Sequence, residues 1–167
     1  VLPGSEVNKD VQVSNTSSYD QFIRVKITPK FMKVNKDGIR EEITSVTIGD
    51  KEYKLNTDLI ELKFKDHLKT DKSEGSWFKG EGEYYYYMGK VGVGSYTNTL
   101  LDSVTLSSKA GNEYKNIGFD VVVEADSIQA SNDAYKDWSE SSLHKVFADL
   151  QSGSATNPKD NKIVGNK

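Results

Sequence analysis

The run Ile117-Gly118-Phe119-Asp120-Val121-Val122-Val123-Glu124-Ala125 decides the fold class of this chain. Successive side chains of a strand point to opposite faces, so Phe119, Val121, Val123 and Ala125 share one face. Val122 and, further on, Ile128 give the other face partial apolar cover. Ala110-Gly111-Asn112 before this run reads as a turn. Ahead of it, residues 99–107 alternate again, with Leu101, Ser103 and Thr105 opposite Leu100, Asp102, Val104 and Leu106. Val104 and Leu106 are expected inside, with Asp102 near an end.

The same period of two recurs toward the N-terminus. Val7, Val11 and Val13 mark a strand over 7–15, followed by the turn residues Asn15-Thr16-Ser17-Ser18. Residues 22–28 form a second strand whose core face is Ile23, Val25 and Ile27. Pro29 has no N–H for a ladder and is expected to end it. Asn35-Lys36-Asp37-Gly38 and Gly49-Asp50 are hairpin turns, with short strands over 43–48 and 51–55. Ile60, Leu62 and Phe64 face one way in a strand over 59–64. Residues 66–82 read as a polar loop holding Trp77-Phe78, and 83–91 as a strand containing Tyr84-Tyr85-Tyr86-Tyr87. The pattern then changes period. Leu143, Val146, Phe147 and Leu150 stand at helical spacing, with Ser141 or Ser142 as cap and Gly153 as stop.

About eight short strands with turns every 8–12 residues describe an antiparallel β-sandwich, either jelly-roll or immunoglobulin-like. The expected layout is one sandwich domain over 1–150 with a peripheral helix, then a flexible polar tail over 151–167. The net charge is −3, and 22 basic residues are scattered among 25 acidic ones, so no basic stripe exists for nucleic acid. No apolar run approaches a membrane span. Cysteine is absent, which removes disulfides, thiolate metal sites and cysteine nucleophiles. Val1-Leu2-Pro3-Gly4 has neither a basic region nor an apolar run, so the chain is either cytosolic or relieved of a signal segment.

Chemistry-bearing motifs are few. His67 and His144 lack any H-E-x-x-H or H-x-H partner spacing, and solvated surface is their plainer reading. No serine sits in G-x-S-x-G. Glu41-Glu42 and Glu81 with Glu83 are carboxylate pairs, which read as acidic surface unless a cleft raises one pKa. No catalytic residue, cofactor site or metal site is therefore assigned, and the chain is read as a non-enzyme. Asn15-Thr16-Ser17 matches the glycosylation acceptor pattern, a frequent chance match. The tyrosine run stands out. One pair packs inside, and the other lies on the outer face or under a loop. Tyr84, Tyr86, Trp77 and Phe78 are thus the candidate interaction surface, since tyrosine offers large amphipathic contact area.

Three stretches carry a resemblance. The first is Leu2-Pro3-Gly4, Val11, Val13, Asn15-Thr16, Tyr19 and Ile23-Arg24-Val25. The second is Trp77, Glu83-Tyr84-Tyr85-Tyr86-Tyr87, Gly94, Thr97, Leu100-Leu101 and Val104. The third is Glu124-Ala125-Asp126-Ser127-Ile128-Gln129-Ala130 with Trp138. In this order they resemble the TasA/camelysin family of bacterial matrix proteins, whose precursors are processed by a SipW-type signal peptidase. Ser17 stands where the family has glycine and Val93 where it has proline. The stretch 31–54 and the tail have no counterpart. The resemblance implies a two-sheet jelly roll, export from a Gram-positive cell, and assembly into extracellular fibres or biofilm matrix through an N-terminal strand passed to the next subunit. The segment before Leu2 that would do this is missing, so a trimmed chain is expected. The metal-dependent protease activity associated with camelysin does not carry over, because no zinc ligands are recognisable.

A sheet edge left without its strand exposes a row of N–H and C=O groups that invites strand addition. Val11 and Val13 mark the candidate edge strand. The expected function is a secreted structural protein whose partners are its own copies or other matrix proteins. A cell-surface, adhesin-like module for host protein or glycan is the alternative, and a secreted metal-dependent protease a third.

Overall fold

The computed structural model describes residues 4–160 and Lys162. Leu2 and Pro3 of the first motif, and Asn161 and 163–167 of the expected tail, lie outside the described residues. The strands are β1 (Glu6–Val11), β2 (Gln21–Val34), β3 (Arg40–Ile43), β4 (Ser45–Ile48), β5 (Lys51–Lys54), β6 (Ile60–Phe64), β7 (Trp77–Lys79), β8 (Tyr84–Tyr87), β9 (Leu101–Leu106) and β10 (Gly118–Gln129). A helix, α1 (His144–Ser152), follows them. The chain is mostly β, with several antiparallel sheets and one short C-terminal helix, as the periodicity indicates. A three-stranded sheet has the order β1-β9-β6. A five-stranded sheet has the order β10-β2-β8-β7, with β3 also paired to β2, and β4 pairs with β5 alone. No helix among the described residues is long and apolar enough to cross a membrane.

Backbone contacts gather into two compact units. The first takes Val1–Lys9, Ile27–Lys63 and Ser103–Val122. There Phe31, fully buried, packs its ring 5.1 Å from Tyr114, whose hydroxyl accepts the N–H of Asn56 at 2.9 Å. The turn 35–38 closes β2 onto β3, with Gly38 at φ +79° and the Asn35 side chain accepting the N–H groups of Asp37 and Ile39.

The second unit takes Asp10–Lys26, Phe64–Asp102 and Val123–Lys167. The register Arg24↔Tyr86 and Phe78↔Tyr86, with Trp77↔Tyr87 beside it, sorts β2, β7 and β8 into two faces. Ile23, Val25, Trp77 and Tyr87 point inward and are buried. Trp77 packs 5.1 Å from Tyr87 and donates its indole N–H to the carbonyl of Asn98 at 2.8 Å. Burial pushes the Tyr87 phenol up to about 12. On the opposite face Phe22, Tyr86 and Met88 are buried too, beneath Tyr135, Trp138, Leu143 and Phe147. This second core explains the tyrosine run. Tyr85 and Tyr87 belong to one face, Tyr84 and Tyr86 to the other, and each face has a cover.

Several boundaries differ from the sequence reading. Pro29 does not end β2, which continues to Val34. β8 meets β2 at 24–26 and β3 meets it at 31–34, so Pro29 falls in the gap between these two pairings. Residues 66–82 are not all loop, because β7 lies within them. Three residues are too few to show alternation. The helix has no serine cap. A 3₁₀ turn over Ser141–Leu143 leads into it, and Gly153 closes it with an N–H bond to Leu150. Residues 153–160 are pinned along the second unit. Thr156 is buried, its N–H bonds the carbonyl of Lys90, and the N–H groups of Lys159 and Asp160 both bond Asn98 Oδ1.

Candidate functional site

Residues 13–17 continue the line of β1 past its end and are held from one side only. The N–H of Thr97 bonds the carbonyl of Val13 at 2.9 Å, the N–H of Asn15 bonds Ser95 at 2.8 Å, and the N–H of Gly94 bonds Asn15 at 3.0 Å. Ser14 sits between these bonds, opposite Tyr96 in an antiparallel bridge. In such a pairing the intervening residue turns its own N–H and C=O to the other side. Neither group of Ser14 meets a partner among the described residues.

The turn that follows is built by one side chain. Asn15, buried, donates from Nδ2 to the carbonyls of Tyr19 (2.8 Å) and Val91 (2.9 Å). Its Oδ1 accepts from the N–H (2.9 Å) and hydroxyl (2.7 Å) of Ser17. The amide of the apparent glycosylation acceptor is thus fully engaged within the fold.

The same segment shares a crevice with β10, the last strand of the five-stranded sheet. This crevice of about 230 Å³ is lined by Val13, Ser14, Thr16 and Ser17, by Gln21 and Ile23 of β2, and by Ala125, Asp126 and Ser127 of β10. The walls are small side chains, so backbone can come close. The one charged wall residue, Asp126, is taken by Arg24, whose Nε donates to Oδ2 at 2.9 Å and whose Nη2 lies 2.8 Å from it. Burial opposes the charge of Arg24, but its bonds to Tyr86 and Asp126 outweigh that and raise its pKa. Protective devices of an exposed edge, such as lysine or proline, are absent from 13–17.

No family model, curated protein or solved structure matches this chain. What the crevice can do is therefore read from its own geometry.

The residues singled out from sequence are distributed as follows. Val11 is buried, with its carbonyl accepting the N–H of Leu100 at 2.8 Å, and Val13 lines the crevice. Trp77, at 0% exposure, is a core residue and offers no surface, and Tyr86, at 3%, is a core residue that reaches the surface only where it lines an opening beside Arg24. Their apolar bodies are needed inside, one on each face of the five-stranded sheet. Tyr84 and Phe78 are half-buried on the Tyr86 face. His144 places Nε2 2.8 Å from the carbonyl of Trp138, with its ring edge-on to Tyr135. His67 Nε2 lies 3.6 Å from Asp160. Among the described residues neither imidazole is hydrogen-bonded to a serine, and no three His, Asp or Glu side chains gather at metal-binding spacing.

Ser14, Asn15, Thr16, Ala125 and Ser127 were not singled out as an edge, because none bears reactive chemistry. One signal does point there: Val11-Gln12-Val13-Ser14-Asn15-Thr16-Ser17-Ser18 carries no charge in a chain otherwise dense with them.

Proposed function

We propose that this chain is a structural subunit of an extracellular fibre or matrix, joined to its neighbours by an extended segment received at the sheet edge of residues 13–17. The supporting observation is the uncharged edge at Ser14, which shares with β10 an open crevice whose two sides, 13–17 and 125–127, carry mostly small side chains. An added strand would find unpaired backbone groups on one wall and room for small side chains on the other. The motif resemblance to the TasA/camelysin family supports the same reading, including export.

The test places charges on the edge. Ser14 and Thr16 are exposed, so Ser14→Lys with Thr16→Lys leaves the core untouched. The secreted, full-length protein is expected to form fibres by electron microscopy, while the double variant stays monomeric with an unchanged circular dichroism spectrum. Wild-type protein that stays monomeric across concentration and pH, or a double variant that polymerises equally well, overturns the proposal.

A further inference from the structure

A second opening in the same unit has a different character. It holds about 680 Å³ and is lined by Arg24, Tyr84 and Tyr86 on the sheet side, Glu81-Gly82-Glu83 on the turn before β8, and Ser139, Glu140, Ser141 and Ser142 on the segment leading into α1. This volume is in the range of small-molecule sites. No aliphatic side chain lines it, which disfavours a lipid or other greasy ligand.

Close contacts and hydrogen bonds join the walls. Gly80 lies so close to the opposite wall that a Cβ there would sit 2.7 Å from Glu140 Oε1 and 2.8 Å from Tyr86 Cε1. Glu140 ties the two walls together, accepting the N–H of Glu81 at 3.1 Å and the hydroxyl of Ser142 at 3.1 Å. The guanidinium carbon of Arg24 lies 3.8 Å from the centre of the Tyr84 ring and 4.8 Å from that of Trp138. Its side chain is only 16% exposed. A guanidinium has five N–H donors. Three find protein partners here, two on Asp126 and one on the Tyr86 hydroxyl. Two remain on a largely buried group that lines the opening.

Those donors call for acceptors, which an ammonium group lacks, and the guanidinium would also repel its charge. Glu81 and Glu83 are exposed on the rim, and although Lys26 Nζ lies 3.6 Å from Glu83, these two with Glu140 leave carboxylates in excess there, which repels an anion and calls for donors. A ligand that answers both carries donors and acceptors side by side without net charge, as the vicinal hydroxyls of a sugar do. Serine hydroxyls on the far wall serve either role. We propose that this cleft is a binding site for a neutral oligosaccharide, with Arg24 donating to, and Glu81 and Glu83 accepting from, its hydroxyls.

The test uses the whole chain on an array of neutral, uronic or sialylated, and amino oligosaccharides, with oligolysine as a competitor. Retention of neutral members is expected. Their affinity, measured by calorimetry, should fall at least tenfold in Glu81→Ala with Glu83→Ala, and be lost in Ser141→Trp, which fills the opening from an exposed position. Both variants should retain the wild-type far-ultraviolet spectrum and the wild-type assembly state, which separates this site from the sheet edge. No neutral glycan bound at millimolar concentration, retention of charged glycans alone, displacement by oligolysine, or unchanged affinity in both variants each overturns the assignment.

Discussion

Asn15 uses its full hydrogen-bonding capacity inside the fold: two amide protons on two carbonyls, and one carbonyl oxygen on two donors of Ser17. A buried amide so occupied stabilises its turn less by the strength of each bond than by the cost of leaving partners unsatisfied. Two of those partners have other company, since Val91 also accepts the N–H of Gln21 and Tyr19 also accepts the Ser17 hydroxyl. Asn15→Ala is therefore expected to lower stability by about 2–4 kcal/mol rather than by four whole bonds. Asn15→Asp should be worse, because a carboxylate brings no donor and faces two carbonyl oxygens. Urea unfolding followed by circular dichroism measures both. A change below about 0.5 kcal/mol for the alanine variant, the scatter of an ordinary surface substitution, would mean that the turn is held by something else.

At the scale of elements, α1 is too short to be stable alone and owes its place to one apolar stripe. Phe147 is its anchor, with ring centres 4.7 Å from Phe22 and 5.6 Å from Trp138. Phe147→Ala removes that ring from a site with 1% exposure and should cost about 3–5 kcal/mol. Trp138 fluorescence is expected to shift toward the exposed value before the rest of the protein unfolds, and a variant as stable as wild type would refute the anchor role. This stripe is plain in the sequence because Leu143, Val146, Phe147 and Leu150 keep helical spacing. The surface it covers is not. Periodicity shows that alternate residues part, as Tyr84 and Tyr86 do from Tyr85 and Tyr87. It does not show that both faces acquire covers, so Tyr86 and Trp77 read as surface candidates although both are buried. β10 shows the converse. It has the strongest alternation in the chain, yet of Phe119, Val121, Val123 and Ala125 only Val121 is buried, because the strand ends its sheet.

For the molecule as a whole, composition foretells the β architecture, but long-range closure decides what is open and what is shut, and no local pattern encodes it. The segment 153–160 is polar enough to read as a free tail, yet Asn98 clasps it by Oδ1 while its Nδ2 donates to Gly75 at 2.8 Å. Gln12, just before the edge at 13–17, donates to the carbonyls of both Thr97 (2.6 Å) and Asp160 (3.1 Å), which ties this segment to the edge. Asp160 is central to the clasp. Burial disfavours its charge, but Thr99, the N–H of Lys162 and nearby His67 outweigh that and hold the carboxyl below its ordinary value of 3.8. A group with a depressed folded pKa contributes stability above its unfolded value and loses it as pH falls through the folded one. Ending the chain at Ser152 should therefore lower stability by roughly 2–4 kcal/mol at neutral pH, on the order of 1 kcal/mol for each lost internal hydrogen bond that water does not replace. The gap between full-length and shortened chains should narrow as pH drops below the ordinary carboxylate range, because the intact clasp loosens there and the shortened chain has none to lose. Denaturant midpoints of both chains at neutral and acid pH measure this. Hydrogen exchange adds an independent reading, with the amides of Thr156, Lys159 and Asp160 protected at neutral pH. Equal midpoints throughout, or freely exchanging amides at those three positions, would return the segment to the status of a tail and leave the edge at 13–17 to be held by its bonds to 94–97 and by the side chain of Asn15.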